Sequence, residues 1–168
     1  MTSNMHHVYM PPRIIPAEEI PEGVLSFLNG EDLLSKTQAL RLSTVDAEGW
    51  PHAALLSAGD AVALSNGRLR FAIYPHSGTA ANLVRDGRLT LSLSLDGGMC
   101  ELRMRARKCG DGTREVPLAF FEAEVDHVRM HVASYADVTC GIGFALHDPS
   151  AVLDRWQRQI TALRAASG

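Results

Sequence analysis

Residues 69–95 constrain the fold more narrowly than any other part of the chain. The odd-numbered positions from 69 to 73 and from 89 to 95 are apolar, and the positions between them are mostly polar. That period of two is typical of strands with one buried face. Between the two strands, Ser77 or Thr79 can cap a short helix and Gly87 can end it. The segment therefore predicts a strand, a polar turn, a short helix and a second strand.

The turn before this helix is a candidate anion site. The first amides of a helix have no acceptor within the helix, so they favour an anion, and the hydroxyls of Ser77 and Thr79 lie beside them. The same two residues also suit ordinary helix caps between two strands of a barrel. The residues by themselves favour that structural interpretation.

Short alternating segments with turn residues between them continue on both sides of this unit. The pair Asn66-Gly67 is a strong two-residue hairpin signal and predicts that its flanking segments are antiparallel. Six or seven short strands would leave exposed edges in an open sheet, and a closed or nearly closed barrel removes them. Predicted strands include residues 38–45, 51–57, 61–64, 69–73, 89–95 and 100–108.

Two later stretches extend this pattern. Residues 119–132 fit either a strand or a helix, and a strand is favoured because acidic residues at 122, 124 and 126 alternate with apolar ones. Residues 140–146 are largely apolar and predict a last, buried strand.

Peripheral helices complete the predicted domain. Residues 22–29 have helical apolar spacing, and Asp148-Pro149 opens a C-terminal helix with Trp156 on its apolar face. A chain of 168 residues needs no second core, so residues 20–168 are predicted to form one domain. Residues 1–19 are predicted to be a flexible arm, whose His6 and His7 are not expected to bind a metal.

The composition argues against several classes of protein. A formal net charge of −3 is unlike that of a general nucleic-acid binder, and 46% apolar with 21% charged residues is ordinary for a soluble globular chain. No apolar run approaches the roughly 20 residues that span a bilayer, and no signal-peptide pattern occurs, so no membrane association is expected. The three cysteines form no CxxC pair, which indicates a reducing cytoplasm.

Single cysteines and histidines have mainly structural interpretations. Cys100 and Cys140 lie in apolar, strand-like surroundings and are expected to be small core residues, whereas Cys109 follows a lysine and is a candidate for higher reactivity. His127 and His131 have the spacing of a helical metal pair, but in a strand they would lie roughly 13 Å apart at about 3.3 Å per residue. We therefore expect surface or interface histidines and no metal.

The pattern SxTxxNL, formed by Ser77, Thr79, Asn82 and Leu83, resembles the flavin-binding turn of the pyridoxamine 5'-phosphate oxidase-like family. The resemblance extends over residues 40–163, from the first hairpin to the C-terminal helix. It implies a mainly β fold, an antiparallel six- or seven-stranded split β-barrel (an FMN-binding split barrel) with peripheral short helices and a C-terminal helix. It also implies a homodimer that holds FMN in a groove between its subunits.

The resemblance also assigns residues to the cofactor. Ser77, Thr79 and Asn82 would anchor the phosphate, while residues 72–74 would lie near the ring; His76 is a further phosphate candidate. The implied cofactor-binding residues are therefore Ala72, Ile73, Tyr74, His76, Ser77, Thr79 and Asn82. No catalytic residue is assigned.

Several positions depart from the family pattern. Thr79 and Gly78 stand where the family has lysine and arginine, and Ala54 and about Gly59 stand where the true oxidases have basic residues facing the flavin. A charge-assisted phosphate contact is about twice as strong as a neutral hydrogen bond, so these departures weaken FMN binding and argue against authentic pyridoxamine-phosphate oxidase activity.

The resemblance thus implies an FMN-binding oxidoreductase that acts on an unidentified small substrate. One alternative is a non-catalytic module that binds or senses a flavin, a haem or another small ligand. Another is a dimeric domain whose cofactor site has decayed, and a deazaflavin in place of FMN also remains open.

Overall fold

Eight antiparallel strands and three α-helices make up the fold in the computed structural model, which describes residues 8–167. The strands are β1 (Arg13–Pro16), β2 (Leu40–Val45), β3 (Pro51–Leu56), β4 (Ala61–Ala63), β5 (Leu69–Ile73), β6 (Arg88–Leu95), β7 (Gly98–Asp111) and β8 (Ala119–His131). The helices are α1 (Glu22–Phe27), α2 (Gly78–Arg85) and α3 (Pro149–Ala165), and short 3₁₀ helices occur at Ala17–Glu19 and Leu33–Ser35.

The strands form one curled, half-barrel sheet in the order β3-β2-β6-β7-β8-β5-β4, with β1 paired to β8 as an eighth strand. This mainly β, split-barrel architecture with few helices confirms the predicted fold class. All the strand pairs are antiparallel, as predicted.

Strand β8 settles the choice between strand and helix for residues 119–132 in favour of the strand. One edge of β8 pairs with β7 along almost its whole length. Its other edge pairs with β5 at residues 119–123 and with β1 at residues 127–130. Because neighbouring strands on both edges hydrogen-bond to its backbone, the segment is stabilised in the extended conformation.

The turn predicted at Asn66-Gly67 is present, and a second tight turn joins β2 to β3. Gly67 has φ +79° in the turn between β4 and β5, which suits the Asn-Gly hairpin signal. The Asp46 carboxylate accepts hydrogen bonds from the amides of Glu48 (2.9 Å) and Trp50 (2.8 Å) and so closes the turn between β2 and β3.

Two apolar clusters lie on opposite faces of β5. Leu69, Phe71 and Ile73 belong to the core inside the half-barrel, whereas Ala72 belongs to a second cluster built around Trp156 of α3. Because α3 covers the outer face, all five residues of β5 are buried. The prediction of a half-buried strand is corrected here, since period-two alternation cannot show that a distant helix covers the other face.

The predicted last strand at residues 140–146 is wrong. The segment has a single isolated bridge, between Gln38 and Gly143, and its residues are exposed or half-buried. Cys140 is accordingly exposed and is not a core residue. Two glycines give the segment little to pack, although Phe144 meets Trp156 edge-on with ring centroids 6.3 Å apart.

The predicted flexible arm, residues 1–19, lies only partly within the described residues. Residues 1–7, including His6 and His7, lie outside the described residues. Within the described part, Arg13–Pro16 is strand β1, paired with residues 127–130 of β8, so this portion belongs to the sheet.

A buried ion pair joins the sheet to α3. Arg70 of β5 donates from Nε to Glu122 Oε2 of β8 at 2.9 Å, and both side chains are buried. Arg70 Nη1 also donates to the carbonyl oxygens of Leu163 (2.8 Å) and Ala166 (2.6 Å). The guanidinium donates to the last carbonyls of α3, which have no partner within the helix. Its positive charge also interacts favourably with the negative end of the helix dipole.

Opposing influences set the pKa of Glu122. Burial raises this pKa, but hydrogen bonds from Arg70 and Arg68 and the charges of Arg70 and Arg107 outweigh it, so the pKa lies below the ordinary value of 4.5. The folded protein therefore holds Glu122 as the carboxylate.

Replacing Glu122 by glutamine should destabilise the fold, because Arg70 would keep a buried charge without its counter-ion. We expect Glu122→Gln to lower the free energy of unfolding by about 3 kcal/mol, measured by urea denaturation. Glu124→Gln is the matched control, since the exposed Glu124 pairs with Arg68 at the surface and its loss should cost less than about 1 kcal/mol. Equal losses in the two variants would contradict a stabilising role specific to the buried pair.

The same carboxylate should make stability depend on pH. Because the pKa of Glu122 is lower in the folded state, its stabilisation is complete above the ordinary glutamate pKa and is lost as the pH falls through the folded pKa. We expect the loss of stability on acidification below about pH 4.5 to be shallower in Glu122→Gln than in the parent protein. Parallel curves of unfolding free energy against pH would argue against this linkage.

Candidate functional site

A cleft of about 180 Å³ lies where the start of α2 meets strands β3 and β5 and helix α3. One wall is mainly apolar and comes from the two strands, while polar side chains come from the helices and from the turn between β3 and β4. The lining residues are Ala54, Leu55, Leu56, Asp60, Ala72, Ile73, Tyr74, Ser77, Thr79, Leu118, Arg155 and Gln159.

Ser77, rather than Thr79, is the N-cap of α2. Its Oγ accepts from the Ala80 amide at 3.1 Å and donates to the Tyr74 carbonyl at 2.7 Å. This cap satisfies the third amide of the helix and leaves those of Gly78 and Thr79 without acceptors inside the helix. Gly87 follows the helix with φ +79°, as predicted for the residue that ends it.

Thr79 is buried between α2 and β3. Its Oγ1 lies 3.2 Å from Nε2 of His52, and the histidine tautomer decides which group donates. A Cβ at Gly78 would lie 3.3 Å from His52 Cε1, a tight contact, so the glycine lets the helix start lie close to β3. The turn is therefore packed against the strand that forms the other wall of the cleft.

Asn82 is also buried, but it is not among the residues that line the cleft. Its Nδ2 donates to Thr44 Oγ1 of β2 at 2.9 Å, and its Oδ1 accepts from Arg85 Nη1 at 3.1 Å. The first of these bonds holds α2 against β2, and the second lies within α2. Asn82 thus positions the helix whose N-terminus opens on the cleft.

The structure brings most of the predicted cofactor residues together. Residues 72–74, Ser77 and Thr79 line one cleft, whereas His76 is exposed beside it and Asn82 lies beneath the helix. Ala54 also lines the cleft, at a position for which the resemblance gave a basic residue. Gly59 lies against Trp156 instead, where an added Cβ would be 2.0 Å from Cγ.

Sequence reasoning missed three polar residues of the cleft. Asp60 accepts from Ser57 Oγ at 2.6 Å and from Gln159 Nε2 at 2.9 Å, so it ties the turn after β3 to α3. Arg155 and Gln159 lie four residues apart, on one face of α3. The signal in the sequence is this four-residue spacing of polar residues around Trp156.

The arginines near the end of α2 are engaged elsewhere. Arg85 donates to Asn82 and to the Val45 carbonyl. Arg88 pairs with Asp86, and hydrogen bonds from Arg88 lower the pKa of Asp86 to about 2. Among the residues that line the cleft, Arg155 is the one cation, and the structure gives it no ion pair within residues 8–167.

The comparisons with known proteins agree with this fold. No protein-family model matches the chain. Uncharacterized protein YclD of Bacillus subtilis is 32% identical over 143 residues, which cover 84% of this chain and 93% of YclD. The chain belongs to the YclD family.

Solved structures extend the likeness at the level of the fold. A proposed pyridoxamine 5'-phosphate oxidase of Lactobacillus delbrueckii is 15% identical, with a TM-score of 0.54, over 71% of this chain and 98% of that one. HupZ of Group A Streptococcus has a TM-score of 0.53 at 15% identity, again over 71% of this chain and 98% of its own. This YclD-family member thus has the split-barrel fold of the pyridoxamine 5'-phosphate oxidase-like proteins, as its sequence predicts.

The cysteines and two histidines of β8 lie outside the cleft. Burial raises the pKa of Cys100 to about 12, in keeping with a core thiol. Burial also raises the pKa of Cys109, so its predicted higher reactivity is wrong: desolvation outweighs the nearby cations. His127 lies 2.7 Å from the Asp126 carboxylate, and His131 lies 3.9 Å from that of Glu101.

Residues 8–167 contain neither a metal-ligand cluster nor a helix of the membrane-spanning type. In that part of the chain, no group of three or more His, Cys, Asp or Glu side chains is placed to hold a metal ion. No helix there is both long and apolar enough to cross a bilayer.

The bond between Asn82 and Thr44 links α2 to β2, beside the bond from Arg85 to the Val45 carbonyl. Each of Asn82→Ala and Thr44→Val leaves one buried group without its partner, so each should cost about 1–2 kcal/mol of unfolding free energy. The double variant should cost little more than the worse single variant, because both changes remove one interaction. Urea denaturation of the four proteins measures this cycle, and strictly additive losses would show that the two side chains act independently.

Proposed function

We propose that this chain is an FMN-binding oxidoreductase that acts on a small molecule and holds its cofactor in a groove shared by two copies of the chain. The observation that carries the proposal is the cleft, which joins the open amides at the N-terminus of α2 to a largely apolar wall of β3 and β5. A ligand with an anionic end and a flat apolar body suits those two surfaces.

The residues present fit such a cofactor. The amides of Gly78 and Thr79 favour a phosphate at the start of α2, with the hydroxyl groups of Ser77 and Thr79 beside them. Ala54 and Ala72 place small side chains on the strand wall of the cleft, where a planar ring could lie. When bound, FMN would supply the redox chemistry, while these residues bind and orient it and limit its contact with water.

The size of the cleft supports a shared site. Sites for ligands of this size usually enclose about 300–1,000 Å³, but this cleft holds about 180 Å³. One chain therefore encloses only part of the cofactor, and we propose that a second copy completes the groove. The homodimer is the assembly that the sequence resemblance also implies.

The proposed cellular setting follows from the thiols and the charge. Cys100, Cys109 and Cys140 are all free, which supports a reducing cytoplasm. The formal net charge of −3 favours a small-molecule substrate over a nucleic acid as the partner.

A second candidate is a module that binds or senses a flavin, a haem or another small ligand without turnover. The specific observation in its favour is the state of Asp60, the carboxylate of the cleft. Its two oxygens accept from the Ser57 amide and hydroxyl and from Gln159, so it is held as a structural acceptor rather than placed as a free acid or base. The likeness to a proposed oxidase favours the enzyme at the level of fold.

Binding of FMN can be tested by filling the cleft. We expect the purified protein to bind FMN in a fluorescence-quenching titration, and Ala54→Phe to abolish binding, because a phenyl ring would occupy the space beside Ala72. Ala47→Phe, in the exposed turn between β2 and β3, is the matched control and should bind like the parent. Failure of the parent to bind at high micromolar FMN would overturn the proposed cofactor.

Turnover and assembly need separate measurements. Loss of the flavin absorbance band on anaerobic addition of NADH or NADPH would favour the oxidoreductase, and a bound flavin that neither reductant reduces would favour the binding module.

Light scattering should give twice the chain mass of 18.2 kDa. A strict monomer that binds FMN with a single complete site would contradict the shared groove.

A further inference from the structure

We infer that Arg155 of α3 supplies the positive charge for the anionic end of the ligand and thereby makes the cleft selective for a phosphate monoester. This inference rests on the proposed flavin-binding function and adds to it a recognition residue outside the turn. Its basis is the register between α3 and β5, the absence of charge in the turn itself, and the free state of Arg155 within the described residues.

The register of α3 against β5 is fixed at two levels. At the first, Arg70 Nη1 donates to the Leu163 carbonyl at 2.8 Å. At the second, the Ala72 amide donates to the Asp60 carbonyl at 2.9 Å, and Gln159 Nε2 donates to the Asp60 carboxylate at 2.9 Å. Moving two residues forward along β5, from Arg70 to Ala72, therefore corresponds to moving four residues back along α3, from Leu163 to Gln159.

Two residues of β5 and four residues of α3 span nearly the same distance, so the same register continues for the next residues of the strand and the helix. Two strand residues advance about 6.6 Å, and four helix residues advance about 6 Å. Extending this spacing by one more step places Arg155 at the level of Tyr74. The Tyr74 carbonyl is the group that accepts from both the amide (3.1 Å) and the hydroxyl (2.7 Å) of Ser77, the cap of α2. Arg155 therefore lies at the end of the cleft where α2 begins, and both Arg155 and Ser77 line it.

The turn itself provides partial charges and hydroxyl groups but no cation that lines the cleft. Gly78 and Thr79 are neutral, and His76 is exposed beside the cleft rather than among its lining residues. Arg85 and Arg88 are bound to Asn82, Val45 and Asp86. For an anion at the start of α2, the cationic side chain that lines the same cleft is Arg155 of α3.

Arg155 is available for this role. Within residues 8–167 no carboxylate pairs with it, whereas its helical neighbour Arg158 pairs with Asp154. Asp60, the carboxylate that also lines the cleft, is bound to Ser57 and Gln159. A guanidinium that is exposed and unpaired at the rim of a cleft can donate two hydrogen bonds to one phosphate, a geometry that arginine favours.

The experiment compares FMN with riboflavin, which has the same ring system and no phosphate. Arg155→Ala should raise the dissociation constant for FMN about ten- to fifty-fold and leave that for riboflavin unchanged. Arg155→Lys should recover part of the loss, because it keeps the charge without the planar fork. Arg158→Ala, one turn away and outside the cleft, is the matched control and should bind both flavins like the parent. Thermal melts of all four proteins check that the exposed substitutions leave the fold intact.

Each alternative result has a defined meaning. An unchanged FMN affinity in Arg155→Ala, or equal weakening for FMN and riboflavin, would overturn the role of Arg155 while the proposed flavin site stands. Equal affinity of the parent protein for the two flavins would overturn phosphate recognition in the same way. If the parent binds neither flavin, the proposed function fails, and this inference fails with it.

Discussion

The buried pair of Arg70 and Glu122 is the interaction on which the rest of this structure depends. Glu122 accepts from Arg70, Arg68 and Arg107, and Arg70 also binds the last carbonyls of α3. One guanidinium therefore joins two strands and a helix that are far apart in sequence. Two charges of this kind are costly to bury unless each is paired and hydrogen-bonded, and here both conditions hold. The position of α3, and with it one side of the cleft, follows from this contact.

Much of the fold was predictable because its signals are local. Period-two alternation, the Asn66-Gly67 turn and the Asp148-Pro149 helix start each depend on neighbouring residues, and the structure has all of them. The errors fall where distant contacts decide. The segment at residues 140–146 is apolar enough for a strand but pairs only through the Gln38–Gly143 bridge, and β5 is buried on both faces because α3 covers it. Composition within a short window carries no information about either contact.

The residues of the candidate site also fall into those that local sequence patterns identify and those that only distant contacts bring together. Ser77 and Thr79 were identifiable from the chain alone because a helix cap has a local pattern, and both line the cleft. Arg155 and Gln159 were not, because they reach the cleft only once α3, about eighty residues after Ser77 in the chain, has packed on the sheet. Asp60 was not either, because its role depends on its bond with Gln159 of that helix. Asn82 shows the converse: a residue that a family motif assigns to the ligand has its amide bonded to Thr44 and Arg85 beneath the helix.

Gly59 shows how closely α3 approaches the sheet. An added Cβ at this position would lie 2.0 Å from Trp156 Cγ and within 2.4 Å of two further indole carbons, so no side chain fits there without displacing the helix. Positions 59 and 156 thus share one limited volume: the Trp156 indole fits only because residue 59 is a glycine and has no side chain. During divergence of this family, the two positions should change together. A relative with a larger residue at the first and a smaller one at the second would seat α3 differently on the sheet, and the helix residues that line the cleft, Arg155 and Gln159, would move with it.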